Sequence, residues 1–341
     1  MKKLIVGLMI AMFGLFLVVG CEKDTGSALS EEQLEQQSEQ YAMNSIADDN
    51  NEYLIDWGID DVSEDNMFDG FSTFSPNLTL PKMMAPINNV VRFGRKINNR
   101  FRRRVEIVRI SPDSLFFKVT RELNGRFVIF EKIGGDSTQP DTFAVYRKPM
   151  RHLITRNAIF VKRTNDEDAL RNPRRRWKLA SISLSKGESR PVPTVEIHKL
   201  AIATSSGDTF TYVNPLRTKL EIPGDLPTFL QGETVTVIAL VSNSTVNPVP
   251  DPVTGATETV LLHFGINRQH HARKRFHFVG IDPTTGYGIY KGQWVVHEPA
   301  NRPFHAVVDV IDNGTIYDSD TQMYPYNSAT WGCPYRVVLS K

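Results

Sequence analysis

Along the middle of the chain, apolar residues repeat first with a helical period and then with the period of a strand. The first pattern predicts a helix over about 86–100, with an apolar stripe on one side and basic residues on the other. The stripe consists of Val90, Val91, Phe93, Gly94 and Ile97. The alternating pattern that follows predicts strands at 105–110, 115–121, 127–133, 154–162 and 177–184. One helix followed by several strands predicts an α+β domain with a curved antiparallel sheet.

Two turn signals set the expected connections in this region. Pro112-Asp113 separates the first two predicted strands, and Asn124-Gly125 separates the second from the third. An Asn-Gly pair between two β-rich runs is typical of a two-residue hairpin. The sequence therefore predicts a hairpin at each position.

Beyond about residue 193 the apolar runs become short and are separated by turn residues. They lie at 194–203, 210–213, 234–242, 258–264, 275–280, 287–296, 304–311, 315–317 and 336–339. Many short strands at this spacing predict a β-sandwich. A polar stretch with Pro191 and Pro193 precedes them and predicts a domain boundary. The expected fold is mainly β, with an α+β domain over 75–188 and a sandwich over 193–341.

The segment before these domains is acidic and poor in apolar residues. Residues 22–70 hold fifteen acidic side chains and one lysine, whereas the rest of the chain to residue 341 has a net charge of +14. This composition predicts a tether over 21–74 without a core of its own. Within it, Ser30 and Gln33 have capping-box spacing for a helix through Tyr41. A small apolar island at 53–59 is expected to dock on the body. The opposite charges predict contact between tether and body at the strength of surface salt bridges.

The first 21 residues have the pattern of an export signal. Lys2 and Lys3 precede an apolar or glycine run over 4–19, and the run ends at Gly20-Cys21. This stretch resembles the lipobox of bacterial lipoproteins. The resemblance implies that 1–20 is a signal peptide and that Cys21 is lipidated and holds the chain on a membrane. An uncleaved membrane helix is disfavoured, because the run is shorter than the ~20 residues that span a bilayer.

The same resemblance implies a location in the cell envelope, as an outer-membrane lipoprotein. Glu22, Lys23 and Asp24 resemble, weakly, the acidic signals that direct some lipoproteins to the cell surface. A body facing the periplasm is the open alternative. If Cys21 carries lipid, Cys333 has no partner within the chain. A buried, unreactive thiol and a disulfide between two chains both remain open for Cys333.

Two further resemblances concern the fold. Residues 232–237, followed by Tyr290, Gly292 and Trp294, resemble an immunoglobulin or fibronectin III type module. The cysteine–tryptophan–cysteine core of antibody domains is absent from this region. The middle domain is loosely similar to NTF2-like domains, in which a sheet wraps a helix. That similarity implies a pocket for a small apolar ligand.

Histidines and carboxylates concentrate in the last third of the chain without a recognisable metal or catalytic motif. His270 and His271 fall on a predicted hairpin tip among four cations, where charge repulsion opposes a divalent metal. Residues 309–320 match part of an EF-hand loop, but Ile311 offers no oxygen at its third position. A hairpin turn at 312–315 explains the same residues. No catalytic residue, metal site or cofactor is predicted.

Basic residues form three clusters that could contact a polyanion. Their members are Arg102, Arg103 and Arg104, then Arg174, Arg175 and Arg176, and finally Arg273, Lys274 and Arg275. For an exported protein, anionic polysaccharide is a more fitting target than nucleic acid, and no specific nucleic-acid partner is predicted. The sequence therefore favours a non-catalytic binding or scaffolding protein that contacts a membrane through its lipid, and anionic glycan or another envelope protein through its surface. The alternative is an envelope hydrolase or metal-dependent enzyme using the last third of the chain, where Asp309, His297 and His305 lie.

Overall fold

The computed structural model describes residues 29–47, 59, 86–87, 89–98, 102–135, 142–163, 165–251, 253–265 and 271–339. In these residues the protein is mainly β, as expected, with curled antiparallel sheets and little helix. The helices are α1 (Glu31–Ala47), α2 (Glu167–Arg171) and α3 (Asn313–Tyr317). None of the described helices is both long and apolar enough to cross a membrane. The predicted signal peptide and Cys21 lie outside the described residues.

The strands follow one another with few helical interruptions. They are β1 (Val90–Ile97), β2 (Arg102–Ser111), β3 (Ser114–Gly134), β4 (Thr142–Lys162), β5 (Trp177–Ile182), β6 (Ser185–Ser189), β7 (Val195–Thr204), β8 (Thr209–Tyr212), β9 (Leu220–Glu221), β10 (Thr228–Leu230), β11 (Thr234–Asn243), β12 (Glu258–Gly265), β13 (His271–Arg275), β14 (His277–Ile281), β15 (Gly288–Val295), β16 (Pro303–Asp312) and β17 (Ser328–Val338).

These strands form two sheets. The larger sheet has the order β1-β3-β4-β6-β17-β16-β12-β13, with β2 also paired to β3 and β5 to β4. The smaller sheet has the order β14-β15-β11-β7-β8. The larger sheet curls so far that its two ends approach each other. As a result, the Arg273 guanidinium on β13 lies over the Phe93 ring of β1, 4.9 Å from the ring centre. The result is a sandwich-like arrangement with one strongly curled sheet.

Strands β12, β16 and β17 form a middle layer whose two faces are both buried. One face joins a core shared with the smaller sheet, through Val260, Leu262, Val308, Val310 and Trp331. The other face joins a core shared with β1, β3 and β4, through Leu261, Val307 and Ile311. Because successive strand residues point to opposite faces, nearly continuous apolar runs result in this layer.

The middle of the chain differs from the sequence prediction in its first element. The predicted helix over 86–100 is wrong, because residues 90–97 form strand β1 and pair with β3. In a strand, a spacing of four keeps residues on one face, and a spacing of three does so only across a bulge, which β1 has between Val90 and Arg92. The apolar pattern therefore fits this bulged strand as well as a helix, and pairing with the long strand β3 decides between them. The helix was also the element on which the similarity to NTF2-like domains rested.

The predicted hairpin at Asn124-Gly125 is also wrong. β3 runs without a turn through this position, because β1 pairs with its second half and β2 with its first half. A side chain at Gly125 would collide with the backbone oxygen of Lys96. The glycine therefore permits the close approach of β1 and does not make a turn. The turn at Pro112-Asp113, by contrast, is confirmed between β2 and β3.

The predicted hairpin turn at 312–315 is replaced by the short helix α3. Asp312 is its N-cap, and the Asp312 carboxylate accepts a hydrogen bond from the Gly314 amide at 2.6 Å. Asp and Asn favour helix caps as well as turns, since their side chains accept bonds from nearby amides. Asp309 and Ile311 belong to strand β16, so the partial EF-hand match has no loop around it.

Strands on either side of the predicted boundary at 188–193 share the larger sheet. β6 pairs with β4 on one side and with β17 on the other. β5 pairs with β9 in the same way. The two parts of the chain therefore meet through backbone hydrogen bonds.

Helix α1 of the acidic segment packs on β2 and β5 of the body. Its start is the predicted capping box, since the Ser30 amide donates to Gln33 Oε1 at 3.0 Å and the Gln33 amide donates to Ser30 Oγ at 3.2 Å. The buried side of the helix has a spacing of four residues and consists of Leu34, Ser38, Ala42 and Ile46. Of the predicted apolar island, Ile59 is buried in a core. Tyr53, Leu54, Ile55 and Trp57 lie outside the described residues.

Candidate functional site

The first predicted basic cluster lies on strand β2, with its members on both faces. Arg102 and Arg104 are exposed, and Arg104 pairs with Glu106 at 3.2 Å. Arg103 is half-buried and stands opposite Arg121, whose side chain is also buried. The three arginines therefore do not form one continuous contact surface.

Helix α1 buries one member of the second predicted cluster and contacts another, while Arg174 and Arg175 stay exposed. Arg176 is only 3 % exposed and pairs with Glu31 and with Glu35, the latter at 3.1 Å. Arg174 lies over the Tyr41 ring of the same helix at 5.2 Å. Its neighbour in the cluster, Arg175, pairs at 3.5 Å with Asp166, the N-cap of α2.

The third predicted cluster lies on edge strand β13. Arg273 lies over Phe93, and Arg275 pairs with Asp251 at 2.8 Å. Lys274 is exposed. β13 and β12 form the predicted hairpin, whose tip, including His270, lies outside the described residues. The three clusters thus sit on three separate elements, and acidic side chains neutralise several of their members.

A buried network of charged side chains lies between β1 and the middle layer, and the sequence did not reveal it. The Arg95 guanidinium donates two hydrogen bonds to the Asp309 carboxylate, at 2.6 and 2.8 Å. Arg95 is 1 % exposed and Asp309 is fully buried. The Nε2 atom of His263 lies 3.0 Å from the same carboxylate, and because a carboxylate can only accept, this nitrogen carries the hydrogen.

The network continues from Arg95 along a line of side chains towards β4. Arg95 Nε donates to the Tyr326 hydroxyl at 2.8 Å. That hydroxyl lies 3.2 Å from His152 Nδ1, and His152 Nε2 lies 3.2 Å from Thr330 Oγ1. A neutral imidazole has one donor and one acceptor nitrogen, so His152 donates a hydrogen bond to one of these two hydroxyls and accepts one from the other.

Burial and the neighbouring charges set the ionisation of this network. Burial alone would raise the pKa of Asp309, but the charge of Arg95 and the hydrogen bond from His263 hold it well below its usual range. Burial lowers the pKa of His152 to about 3, and the charge of Arg95 acts in the same direction. The network thus keeps one salt-bridged pair and a neutral histidine inside the protein.

His152 makes the stability of the protein sensitive to acid. Its pKa is about 3 in the folded chain, against an ordinary value of 6.5, so between these pH values the unfolded chain binds more protons. The free energy of unfolding therefore falls as the pH drops through this window. At pH 4.5 we expect His152 to account for roughly 2–3 kcal/mol of the loss.

Urea denaturation at pH 7 and at pH 4.5 measures this loss. His152→Gln should lose less stability on acidification than the natural chain, because glutamine does not titrate. His277→Gln, at an exposed strand position, is the matched control and should leave the acid loss unchanged. An equal acid loss in the natural chain and in His152→Gln would contradict the assignment.

An open groove of about 480 Å³ borders the buried network. We call it the Tyr324 groove, and its lining includes Pro191, Val192, Thr245, Val246, Tyr324 and Tyr326. Tyr326 belongs to both, since its hydroxyl joins the network while its residue lines the groove. Asp312 also lines the groove, and its carboxylate accepts hydrogen bonds from the Asn243 side chain at 3.1 Å and from the Thr245 hydroxyl.

The buried side chain of Lys148 contacts the backbone of the groove wall. Its ammonium group donates to the backbone oxygens of Gly314 at 2.8 Å and Tyr324 at 2.5 Å, and the side chain is fully buried. Burial lowers the pKa of Lys148 to about 7, against the opposing effect of nearby carboxylates such as Asp318. The segment from α3 to Tyr324 is therefore fixed to strand β4 by a buried amine.

Sequence reasoning missed these residues because their signals are ordinary ones. Arg95 stood among the basic residues assigned to the polar side of a helix, and only the strand turns it inward. In the sequence, Asp309 is one position of the partial EF-hand match, and His263 is one of the histidines concentrated in the last third of the chain. The one available signal was a charged residue within an apolar run on β1 and again on β16.

The histidines and carboxylates of the last third do not assemble into a metal site in the part of the chain that the structure describes. His305 contacts Arg156, with 2.9 Å between the ring nitrogen and the guanidinium. Asp309 is bound to Arg95 and His263, as described above. Cys333 is buried, and burial raises the pKa of its thiol to about 12.

No protein-family model matches the chain, and no curated protein matches it either. A solved structure with some similarity comprises the SMP domain and two C2 domains of extended-synaptotagmin 2. The identity is 9 %, over 72 % of this chain and 90 % of that chain. The TM-score is 0.15, which is too low to support a shared fold.

Proposed function

We propose that the protein is a lipid-anchored protein of the cell envelope that binds a glycan in the Tyr324 groove and does not catalyse a reaction. One observation carries the binding part of this proposal. The open groove and the buried Arg95–Asp309 network share a side chain, Tyr326. An open site built on a rigid, hydrogen-bonded support is the arrangement that fixes ligand contacts in place.

The anchoring part of the proposal is supported by the first 21 residues. The charged start, the apolar run and the small residue before Cys21 are the parts of a lipoprotein signal. In this proposal Cys21 carries lipid, and the body stands on the outer membrane. The sandwich formed by the smaller sheet and the middle layer is of the immunoglobulin-like type.

The chemistry of the groove favours a glycan. Its walls combine apolar side chains with hydrogen-bonding groups that are mostly neutral, and Arg190 and Asp312 are its charged members. The apolar members include Pro191, Val192, Val246 and Pro325, and the neutral polar members include Thr194, Ser244, Thr245 and Asn327. A sugar ring presents an apolar face of C–H groups and a rim of hydroxyls, which match these two kinds of surface. The volume lies in the range of ordinary small-ligand sites.

The predicted basic clusters contribute a second contact in this proposal. Arg102 and Lys274 are exposed and stand outside the groove. Arg104, Arg175, Arg176 and Arg275 already pair with acidic side chains of the protein itself. An anionic polysaccharide would therefore make ionic contacts with the exposed cations in addition to its contacts in the groove. Only the ionic contacts would weaken as the salt concentration rises.

Calorimetric titration with soluble polysaccharides tests the proposal. The probes are dextran and laminarin as neutral chains, and alginate as an anionic chain. Val246 is 80 % exposed at the groove, so Val246→Glu obstructs the groove without disturbing the core. We expect the natural chain to bind at least one probe and Val246→Glu to bind it about tenfold more weakly, which corresponds to about 1.4 kcal/mol.

Val253→Glu is the matched control, because Val253 is 90 % exposed and lies outside the groove. It should bind like the natural chain. If Val246→Glu and Val253→Glu lowered the affinity for the polysaccharide equally, the assignment of the binding site to the groove would be overturned. Failure of all three polysaccharides to bind at low salt would remove the glycan as ligand.

A further inference from the structure

Docking of helix α1 shortens the free part of the acidic tether. Glu35 pairs with Lys162 and with Arg176, both at 3.1 Å, and Glu39 pairs with Arg109. The Trp177 ring nitrogen donates to Ser38 Oγ at 3.1 Å. Apolar contacts from Ala42 and Ile46 join the main core. The helix is therefore part of the body, and the tether proper ends at its cap, Ser30.

The distance from Cys21 to the body is limited by this docking. Nine peptide units separate Cys21 from Ser30. A fully extended chain covers at most 3.3–3.6 Å per residue, so these residues reach about 30 Å at most. A lipid on Cys21 can thus be no farther than this from the N-terminal end of α1.

The Tyr324 groove lies far from α1 along strand β4. The helix contacts β4 at Lys162, through Glu35. Lys148, fourteen residues earlier on the same strand, bonds to the Tyr324 backbone in the groove wall. At 3.2–3.4 Å per residue the two positions are on the order of 45 Å apart along the strand.

From these two lengths we infer that the α1 face of the body is turned towards a phospholipid surface and that the Tyr324 groove is held away from it. This inference rests on the anchoring part of the proposed function. The α1 face consists of the outer side of α1 and the adjacent loop after α2. Arg171, at the end of α2, and Arg174 and Arg175, in the loop after it, are exposed and can meet lipid phosphates. Acidic side chains of α1 and α2 lie among them, so the short tether, and not net charge, sets the orientation.

Energy transfer to labelled lipid measures the orientation. The chain from Cys21 onward is coupled through Cys21 to a maleimide lipid in phosphatidylcholine vesicles that carry an acceptor dye on a minor headgroup fraction. Cys333 does not compete, because it is buried and burial raises the pKa of its thiol to about 12. A fluorescent amino acid replaces either Gln36, on the exposed side of α1, or Met323, at the groove.

We expect transfer from position 36 to be at least about threefold stronger than from position 323, given the reach of the tether and the length of β4. Glu35→Lys, which places a lysine against Lys162 and Arg176, should release α1 and bring the two positions closer to equal transfer. Glu32→Lys makes the same charge change on an exposed residue and should preserve the difference. Equal transfer at the two positions, or stronger transfer at 323, would overturn the inference.

The energy-transfer experiment depends neither on whether the groove binds a glycan nor on whether Cys21 is lipidated in cells. Glycan binding is measured on the soluble chain, so a failure there does not alter the transfer experiment. Lipidation of Cys21 is read separately by mass spectrometry of the membrane fraction. An unlipidated Cys21 would remove the anchoring proposal, while the vesicle experiment would still report which face the short tether presents to lipid.

Discussion

Replacing Asp309 with asparagine is expected to lower the free energy of unfolding by about 3–5 kcal/mol, because it leaves the Arg95 charge buried without its counter-charge. Both side chains are almost fully buried, and the two hydrogen bonds between them are 2.6 and 2.8 Å long. Asparagine has nearly the same size and shape as aspartate, so the substitution leaves almost no cavity. The expected loss of stability is therefore electrostatic. Urea denaturation at pH 7 measures it.

The matched control is an ion pair of the same type on the surface. Lys219 and Glu221 are 3.0 Å apart and more than half exposed. Glu221→Gln should change the free energy of unfolding by less than about 1 kcal/mol. In addition, the double variant Arg95→Met, Asp309→Leu should recover much of the loss, because it removes both buried charges. A loss in Asp309→Asn no larger than in Glu221→Gln would contradict this account of the network.

The second large effect concerns Glu35 on helix α1. Glu35→Lys should detach the helix, because the new lysine would face Arg109, Lys162 and Arg176, which now pair with the glutamate. Released from the body, a helix of this length is marginal in water, so its amides lose their protection. We expect amide hydrogen exchange in α1 to become faster by about a hundredfold, measured by mass spectrometry of its peptides.

Glu32→Lys makes the same change of charge one helical turn earlier, on an exposed side chain. It should leave the exchange of α1 within a few-fold of the natural rate, since only a first-turn charge is altered. If both variants accelerate exchange equally, the ion pairs do not hold the helix. Trp177, whose ring nitrogen bonds to Ser38, offers a second readout through its fluorescence.

Local chemistry made some of these features predictable from the sequence. The Ser30 and Gln33 side chains each accept a hydrogen bond from the other residue's backbone amide, as in any capping box, so their spacing alone predicts the start of α1. The acidic segment and the basic body pointed to contact between them, and α1 on Arg176 provides such contact. The sandwich-like arrangement followed from the short alternating runs after residue 193.

The remaining features depend on partners distant in the sequence. The spacing of Val90, Phe93 and Ile97 is compatible with either a helix or a strand, and pairing with β3 decides for the strand. Asn124-Gly125 is a turn signal only when both flanking runs end there, whereas β1 needs the glycine for a close approach. The Arg95–Asp309 pair joins residues more than two hundred positions apart, so no local pattern could have placed it.

The position of β17 has a consequence for the order in which the chain can fold. β17 is the last strand in chain order, yet it lies between β6 and β16 near the centre of the larger sheet. β3 and β4 are neighbours in sequence and can pair early as one long hairpin. The two halves of the sheet are joined only when β17 arrives between them. In a nascent chain that has not yet released this strand, the facing edges of β6 and β16 are therefore unpaired and open to other chains.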